Sequence, residues 1–410
     1  MINKIFLHVK VLVYSCFALC MSFIIKRNPE YVAFGSWCGE IYSDNPKYLA
    51  DYMEKHYPNL KIIWVGKKEI KDQIPQSYVF EELDSFRSIF TLLQCKYFVC
   101  MQNARPDICS YNVFRRASIV FLDHGIPVKK WAMSAVDYKG QLEYKNFSLF
   151  KKFYTNVEGE NNTFDYITIS SDKAEDIYRE SLAYRIGKET KIIKTGTPRN
   201  DYLINCSAEE RDRIKRKIAE RFGFDSNKTI IGYYPTYRRK SNHIFSFLHL
   251  TPEQQQQLGN CLRRHNAILL EKGHFVALKQ KNGSENSTVD VINIEKDIDF
   301  QQLLLSTDIQ IADYSGGFLD YCLLDRPIIQ FVYDYEDYKT YDSGLYYTLD
   351  EFAAGAIAVT YDEVMLELEN ILNGCDSYQD RRKNVRNTIL KYEDGHACEK
   401  ICKEIFANVN

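Results

Sequence analysis

The chain has 410 residues, 45% of them hydrophobic and 26% charged. That is enough for two to three domains of about 100–200 residues, and too balanced for a disordered, collagenous or polytopic membrane protein. With 53 Lys and Arg against 55 Asp and Glu the formal charge is −2, so no global attraction draws the chain to nucleic acid and no such partner is expected.

Val11 to Ile25 is apolar and uncharged, with Lys4 and Lys10 before it and Lys26 and Arg27 after it. A membrane span wants about 20 apolar residues. Bulky Phe23, Ile24 and Ile25 do not suit a signal-peptide cleavage site. The pattern predicts a membrane-associating helix over residues 1–27, shallowly inserted, with its basic flanks toward an anionic cytoplasmic leaflet. A buried N-terminal helix is the alternative.

After Arg27, short apolar runs alternate with amphipathic stretches. Tyr31–Phe34, Lys61–Val65, Lys96–Met101, Ser118–Leu122, Tyr166–Ile169 and Lys191–Lys194 read as strands. They lack period-two alternation, which suits strands buried on both faces. Helical patterns at Pro46–His56, Ser85–Leu93 and Asp172–Leu182 lie between them. Ala208–Phe222 is a charged helix of mixed sign, a solvated face or a domain connector.

A second series follows, with strands at Thr229–Tyr233, Ala267–Leu270, Val289–Ile294, Ile309–Ala312 and Pro327–Val332. Its helices are Pro252–Leu262, Phe300–Ser306 and Gly317–Leu324, and the chain ends in polar helices. The expected fold is therefore α/β: two doubly wound Rossmann-like domains, 28–206 and 207–410, facing a cleft and preceded by the apolar N-terminal helix. The 12 cysteines are scattered with no C-x-x-C pair, which fits a reducing compartment better than a disulfide framework. His396, Cys398 and Cys402 could ligate a metal, but without a second ligand cluster a plain helix face is the better reading.

Ligands of doubly wound domains bind beyond the carboxyl ends of the strands, so the residues just past each strand are the candidates. His124, in Asp123-His124-Gly125-Ile126-Pro127-Val128-Lys129, can exchange a proton near neutral pH, with Lys129 adding charge. Lys272-Gly273-His274 repeats that placement in the second series. Thr236 and Arg238 offer a hydroxyl and a planar fork suited to phosphate. Asp313-Tyr314-Ser315-Gly316-Gly317 opens a helix, where Ser315, Gly316 and free backbone N–H groups can receive an anion. The loop is neither G-x-G-x-x-G nor Walker A, so neither NAD binding nor ATP hydrolysis is supported. Each of these segments also has a plain structural reading, as a satisfied loop histidine, a basic loop or an unliganded helix cap.

Taken in order, the segments resemble the CDP-glycerol glycerophosphotransferase family, the polymerases and primases of teichoic-acid-like polymers. The resemblance rests on Gly35 with Tyr42–Tyr48, His124–Lys129, Thr195-Gly196-Thr197-Pro198-Arg199-Asn200-Asp201 and Tyr234–Arg238. It continues through Lys272–Phe275, Ala312–Gly316 with Asp320 and Arg326-Pro327-Ile328, and Tyr333-Asp334 to Tyr346, covering about Phe34 to Gly355. Ile126 stands where Thr is usual, Phe275 where Pro is, Gly316 where a second Ser is common, and Asp123 where an aromatic often precedes the histidine.

The resemblance implies a fold like the GT-B glycosyltransferases, bound peripherally or by a shallow anchor to the cytoplasmic face of the cell membrane. It implies a CDP-polyol donor, CDP-glycerol first, and a lipid-linked glycan or growing polymer as acceptor, in teichoic-acid-like or capsule synthesis. No cofactor and no metal are implied. His124 and His274 become the catalytic pair, His124 as base. Lys129, Thr236, Arg238, Lys272, Asp313, Ser315, Gly316 and Asp320 become substrate-binding residues. A nucleotide-sugar glycosyltransferase and a non-catalytic envelope-assembly protein on the same fold are the competing expectations.

Overall fold

The computed structural model describes residues 2–135, 162–236, 238, 245–273, 290–294, 298–342 and 344–407. The chain forms two compact units. The first takes Met1–Gly125, Tyr138–Asp201 and Tyr392–Asn410; the second takes Ile126–Asp137 and Tyr202–Lys391. A single boundary near residue 206 therefore does not describe the chain. Two short segments sit in the unit that the linear order would not give them.

In the first unit β1 (Asn28–Phe34), β2 (Lys61–Gly66), β3 (Val79–Glu82), β4 (Cys95–Cys100), β5 (Ser118–Phe121), β6 (Phe164–Ile169) and β7 (Ile186–Lys194) make one sheet. Its order is β3-β2-β1-β4-β5-β6-β7, and every neighbouring pair is parallel. Ile62, Ile63, Trp64 and Val65 of β2 are all buried, because helices cover both faces of the sheet. On one face Leu49, Ala50 and Met53 of the helix Asp44–His56 join Val32, Phe34 and Trp64. Ile401, Cys402, Ile405 and Phe406 of the helix Ala397–Phe406 close the same core. Cys398 and Cys402 are thus buried packing residues, while His396 lies outside with Glu399 at 3.4 Å, an ordinary helix face.

In the second unit β8 (Thr229–Tyr233), β9 (Ala267–Glu271), β10 (Val291–Asn293), β11 (Ile309–Ala312), β12 (Ile328–Phe331) and β13 (Ala356–Ala358) run parallel in the order β10-β9-β8-β11-β12-β13. In each sheet the strand order reverses once, between β1 and β4 and between β8 and β11. Those reversals leave a crevice at the carboxyl ends of the two strands.

The N-terminal helix Ile2–Met21 is in part a docked element of the fold, as the alternative expectation had it. One face docks on the first unit: Ser15 and Ala18 are fully buried, Ser15 Oγ accepts the backbone N–H of Asn112 at 3.2 Å, and Tyr14 packs edge-on against Tyr111. The other face exposes Phe6, Leu7, Val9 and Val13. Among the described residues no helix is long and apolar enough to cross a membrane. Arg27, expected as a basic flank, instead turns into the fold. Its guanidinium donates to the carbonyls of Leu92, Cys95, Val113 and Arg115, and burial lowers its pKa to about 10.

Candidate active-site residues

In the first unit the residues past β1 and β5 are held in strained backbone. Trp37, Cys38 and Gly39 follow one another at φ 46°, 54° and 72°. For non-glycine residues such a conformation costs about 1–3 kcal/mol each, so the surroundings must impose it. Asp107 does so: its buried carboxylate accepts the N–H of Cys38 at 3.1 Å, of Met101 at 3.1 Å and of Gln102 at 2.8 Å. Burial raises the pKa of this carboxyl, and the backbone N–H groups work against that rise. Asp44 and Asp123 are likewise left-handed, at φ 67° and 55°. Four of the chain's left-handed non-glycine residues thus converge on one place.

His124 stands there. Its side chain is 46% exposed, and its Nδ1 lies 2.9 Å from Asp123 Oδ1. Asp123 is buried, and its Oδ2 accepts Tyr178 Oη–H at 2.6 Å. The Trp37 ring meets the imidazole edge-on at 5.7 Å. The backbone under the histidine is held too. Arg199 Nη1 donates to His124 O at 2.7 Å and to Asp44 Oδ1 at 2.8 Å. Asn45 Nδ2 donates to the carbonyls of Leu122 and Asp123, while its Oδ1 accepts Arg199 N–H.

The Thr195–Asp201 segment is therefore the clamp under His124. Gly196 sits at φ 80°, where a Cβ would come within 2.8 Å of Tyr392 O. Asp201 accepts the N–H groups of Ala397 and Cys398 at 2.8 and 2.7 Å, capping the last helix. Burial raises the Asp201 pKa, against the pull of those N–H groups.

In the second unit the loops after β8 and β11 meet at the strand reversal. Asp313 accepts the backbone N–H of Thr236 at 2.9 Å and of Ser315 at 2.9 Å. Arg238 Nη1 donates to Asp313 Oδ2 at 2.7 Å and to Thr236 O at 3.0 Å. Its Nε and Nη2 grip Asp334 at 2.7 and 3.1 Å, and Nη2 also reaches Tyr333 Oη at 3.5 Å. Three tyrosine rings, Tyr314, Tyr333 and Tyr338, surround the guanidinium within 5.6 Å. Burial works against its charge, but Asp313 and Asp334 outweigh it and raise its pKa. The guanidinium is 1% exposed and its five N–H donors all point to protein acceptors. The sequence reading expects a fork aimed at a ligand phosphate; in the fold it is the brace of the loop.

Lys129 joins this network. The segment after Gly125 belongs to the second unit, where Lys129 pairs with Leu345 in an antiparallel bridge and its Nζ donates to Thr236 Oγ1 at 2.9 Å. Ser315 and Gly316 are half-buried at the start of the helix Gly317–Cys322, which has only 6 residues. Gly317 answers to packing, since a Cβ there would stand 2.7 Å from the Phe300 ring. Asp320 is fully buried and accepts Gln301 Nε2 at 3.2 Å, inside the core below the loop. Lys272 lies beside the end of β8, its N–H on Tyr233 O at 3.0 Å. His274 lies outside the described residues.

Of the sequence candidates, Lys129, Thr236, Arg238, Asp313, Ser315 and Gly316 thus gather in one unit, and His124 stands in the other. Tyr178 and the Trp37–Gly39 turn are not legible from the sequence motifs. The one available signal for the turn is the pair of glycines, Gly35 and Gly39, bracketing it just past a strand.

The family model described as CDP-Glycerol:Poly(glycerophosphate) glycerophosphotransferase matches residues 17–407. The chain is similar to the teichoic acid poly(glycerol phosphate) polymerase of Staphylococcus epidermidis, 27% identical over 384 residues that cover 91% of this chain and 50% of that protein. It therefore spans half the length of that relative. It is also similar to the teichoic acid glycerol-phosphate transferase of Staphylococcus aureus, 25% identical over 392 residues, 92% of this chain and 93% of that protein. The solved structure of the wall teichoic acid polymerase TagF superposes with a TM-score of 0.76 at 23% identity, over 100% of this chain and 97% of that one. That likeness is one of fold.

Proposed function

The chain belongs to the CDP-glycerol:poly(glycerophosphate) glycerophosphotransferase family, and from that premise we propose that it moves a polyol phosphate, glycerol phosphate first, from a CDP-activated donor to a hydroxyl of a lipid-linked glycan or growing polymer. The acceptor oxygen bonds to the phosphorus that carries the polyol. The bond from that phosphorus to the CMP oxygen breaks, and CMP leaves. His124 takes the acceptor's proton. Lys129 and the Ser315 hydroxyl hold charge on the donor phosphates, with Lys272 and His274 as further donors to them. Arg238 acts through Asp313, which fixes the N–H groups of Thr236 and Ser315.

The observation that carries this reading is the half-exposed imidazole of His124 past β5, backed by a buried carboxylate. Incubation with CDP-glycerol, CDP-ribitol and UDP-sugars, reading nucleotide release in the presence of a lipid-linked acceptor, tests it. CMP release from a CDP-polyol is expected. Turnover of UDP-sugars alone would make the chain a glycosyltransferase, and turnover of none would leave a non-catalytic assembly protein.

The outer face of the N-terminal helix supports peripheral attachment at the cytoplasmic surface of the membrane. Phe6 and Ile24 are each 73% exposed, and Leu7, Val9, Val13, Phe23 and Phe86 extend the apolar surface. A phenylalanine taken out of water contributes about 1.5–3 kcal/mol. Changing Phe6, Phe23 and Ile24 together to Ser should lower binding to anionic vesicles by about 10²-fold or more with the melting temperature unchanged. Unaltered sedimentation with vesicles would dismiss this face as the attachment. Deleting the helix is the poorer test, because its inner face is part of the fold.

A further inference from the structure

Asp123 stands just before the histidine, past β5. It is also the residue that touches the imidazole. Its Oδ1 lies 2.9 Å from His124 Nδ1 and accepts the His124 backbone N–H at 2.7 Å; its Oδ2 accepts Tyr178 Oη–H at 2.6 Å. An ionised carboxylate can only accept, so the Nδ1 it faces carries the proton and the lone pair of the neutral ring lies on Nε2. The carboxylate itself cannot turn, because the phenol of the buried Tyr178 fixes its other oxygen. The backbone favours the arrangement: at φ 55° an Asp is tolerated where an aromatic would be strained.

We propose that Asp123, held by Tyr178, is a positioning residue that fixes the tautomer and orientation of His124 and stabilises the imidazolium formed when the acceptor hydroxyl gives up its proton. The proton moves from the acceptor oxygen to Nε2, and the ring becomes cationic beside Asp123. This rests on His124 being the base, as proposed above. Among the described residues, the other groups packed around the ring are the Trp37 ring, the Arg199 guanidinium on His124 O, and Asp44, which pairs with Arg199. Arg199 pairs with Asp44, and among the described residues Asp123 is the carboxylate in contact with the imidazole.

The test is steady-state kinetics across pH on the full chain with CDP-glycerol, comparing Asp123→Asn, Tyr178→Phe and His124→Ala. Asn keeps the left-handed backbone and an acceptor for the His124 N–H, so Asp123→Asn removes mainly the charge. Its kcat should fall by about 10–10²-fold, within the 10²–10⁴-fold that a general base supplies, with the donor KM unchanged. A carboxylate beside an imidazolium raises its pKa. Without it the acidic limb of kcat/KM should move to lower pH by about one unit. Tyr178→Phe should lower kcat several-fold with the limb in place, since the charge remains, and it serves if Asp123→Asn folds poorly.

A merely structural Asp123 would not move the acidic limb, so a limb unmoved in Asp123→Asn, with or without a loss of kcat, overturns the proposal. Wild-type kcat in Tyr178→Phe overturns the clamp. His124→Ala separates the two levels. If it loses kcat while Asp123→Asn behaves as wild type, only this proposal falls. If it keeps full kcat, the base assignment falls and this proposal with it.

Discussion

Arg238→Ala should cost the second unit about 3–5 kcal/mol, because it strands two carboxylates that now share one buried guanidinium. Asp313 is fully buried and Asp334 partly so, with its side chain 16% exposed, and both are held by that group. Three tyrosine rings lose their cation at the same time. Arg238→Lys should recover only part of the loss, since one ammonium cannot grip two carboxylates bidentately. Denaturant unfolding reads both effects as a lowered midpoint. A variant with wild-type stability and only a raised donor KM would restore Arg238 to direct phosphate contact and remove it as the brace.

The second large effect is expected at the histidines. His124→Ala should lower kcat by about 10²–10⁴-fold, the range for a lost general base, with donor affinity nearly intact. His274→Ala should weaken donor binding together with turnover, because a phosphate contact acts in both the ground and the transition state. His274→Gln should keep part of its function, since an amide still donates; His124→Gln should keep none, having no basic nitrogen. Donor KM and kcat measured separately for the four variants decide it. The reverse pattern would exchange the two roles.

Most strands of both sheets were legible because a strand buried on both faces writes a continuous apolar run, such as Lys61–Val65 or Ile309–Ala312. Two were not. β3 (Val79–Glu82) is an edge strand with most of its residues partly or fully exposed, and β13 (Ala356–Ala358) has only 3 residues in an alanine-rich stretch. Position past a strand was enough to place His124, Thr236, Asp313 and Ser315 at the carboxyl ends of their strands. What a side chain does there was not legible in the same way. The same guanidinium serves a ligand or a pair of carboxylates, and the sequence does not say that Asp334 lies 2.7 Å from Arg238. Nor does it show that Tyr178, 55 residues beyond Asp123, closes on it, because that contact exists only once β5 and the helix Asp172–Ser181 are packed together.

The interleaving of the two units in the chain bears on how the protein is made. The helix Ala397–Phe406 of the first unit follows the whole of the second unit in the sequence, and Ile401 and Phe406 are core residues of the first unit. Residues 202–391, which lie between, all belong to the second unit. At about 5–20 residues per second, a ribosome that has finished the seventh strand needs roughly ten to forty seconds more before the helix that seals that sheet is synthesised. For that interval the face of Val32, Phe34 and Trp64 is open on one side in the nascent chain, a window in which a holding chaperone has apolar surface to bind.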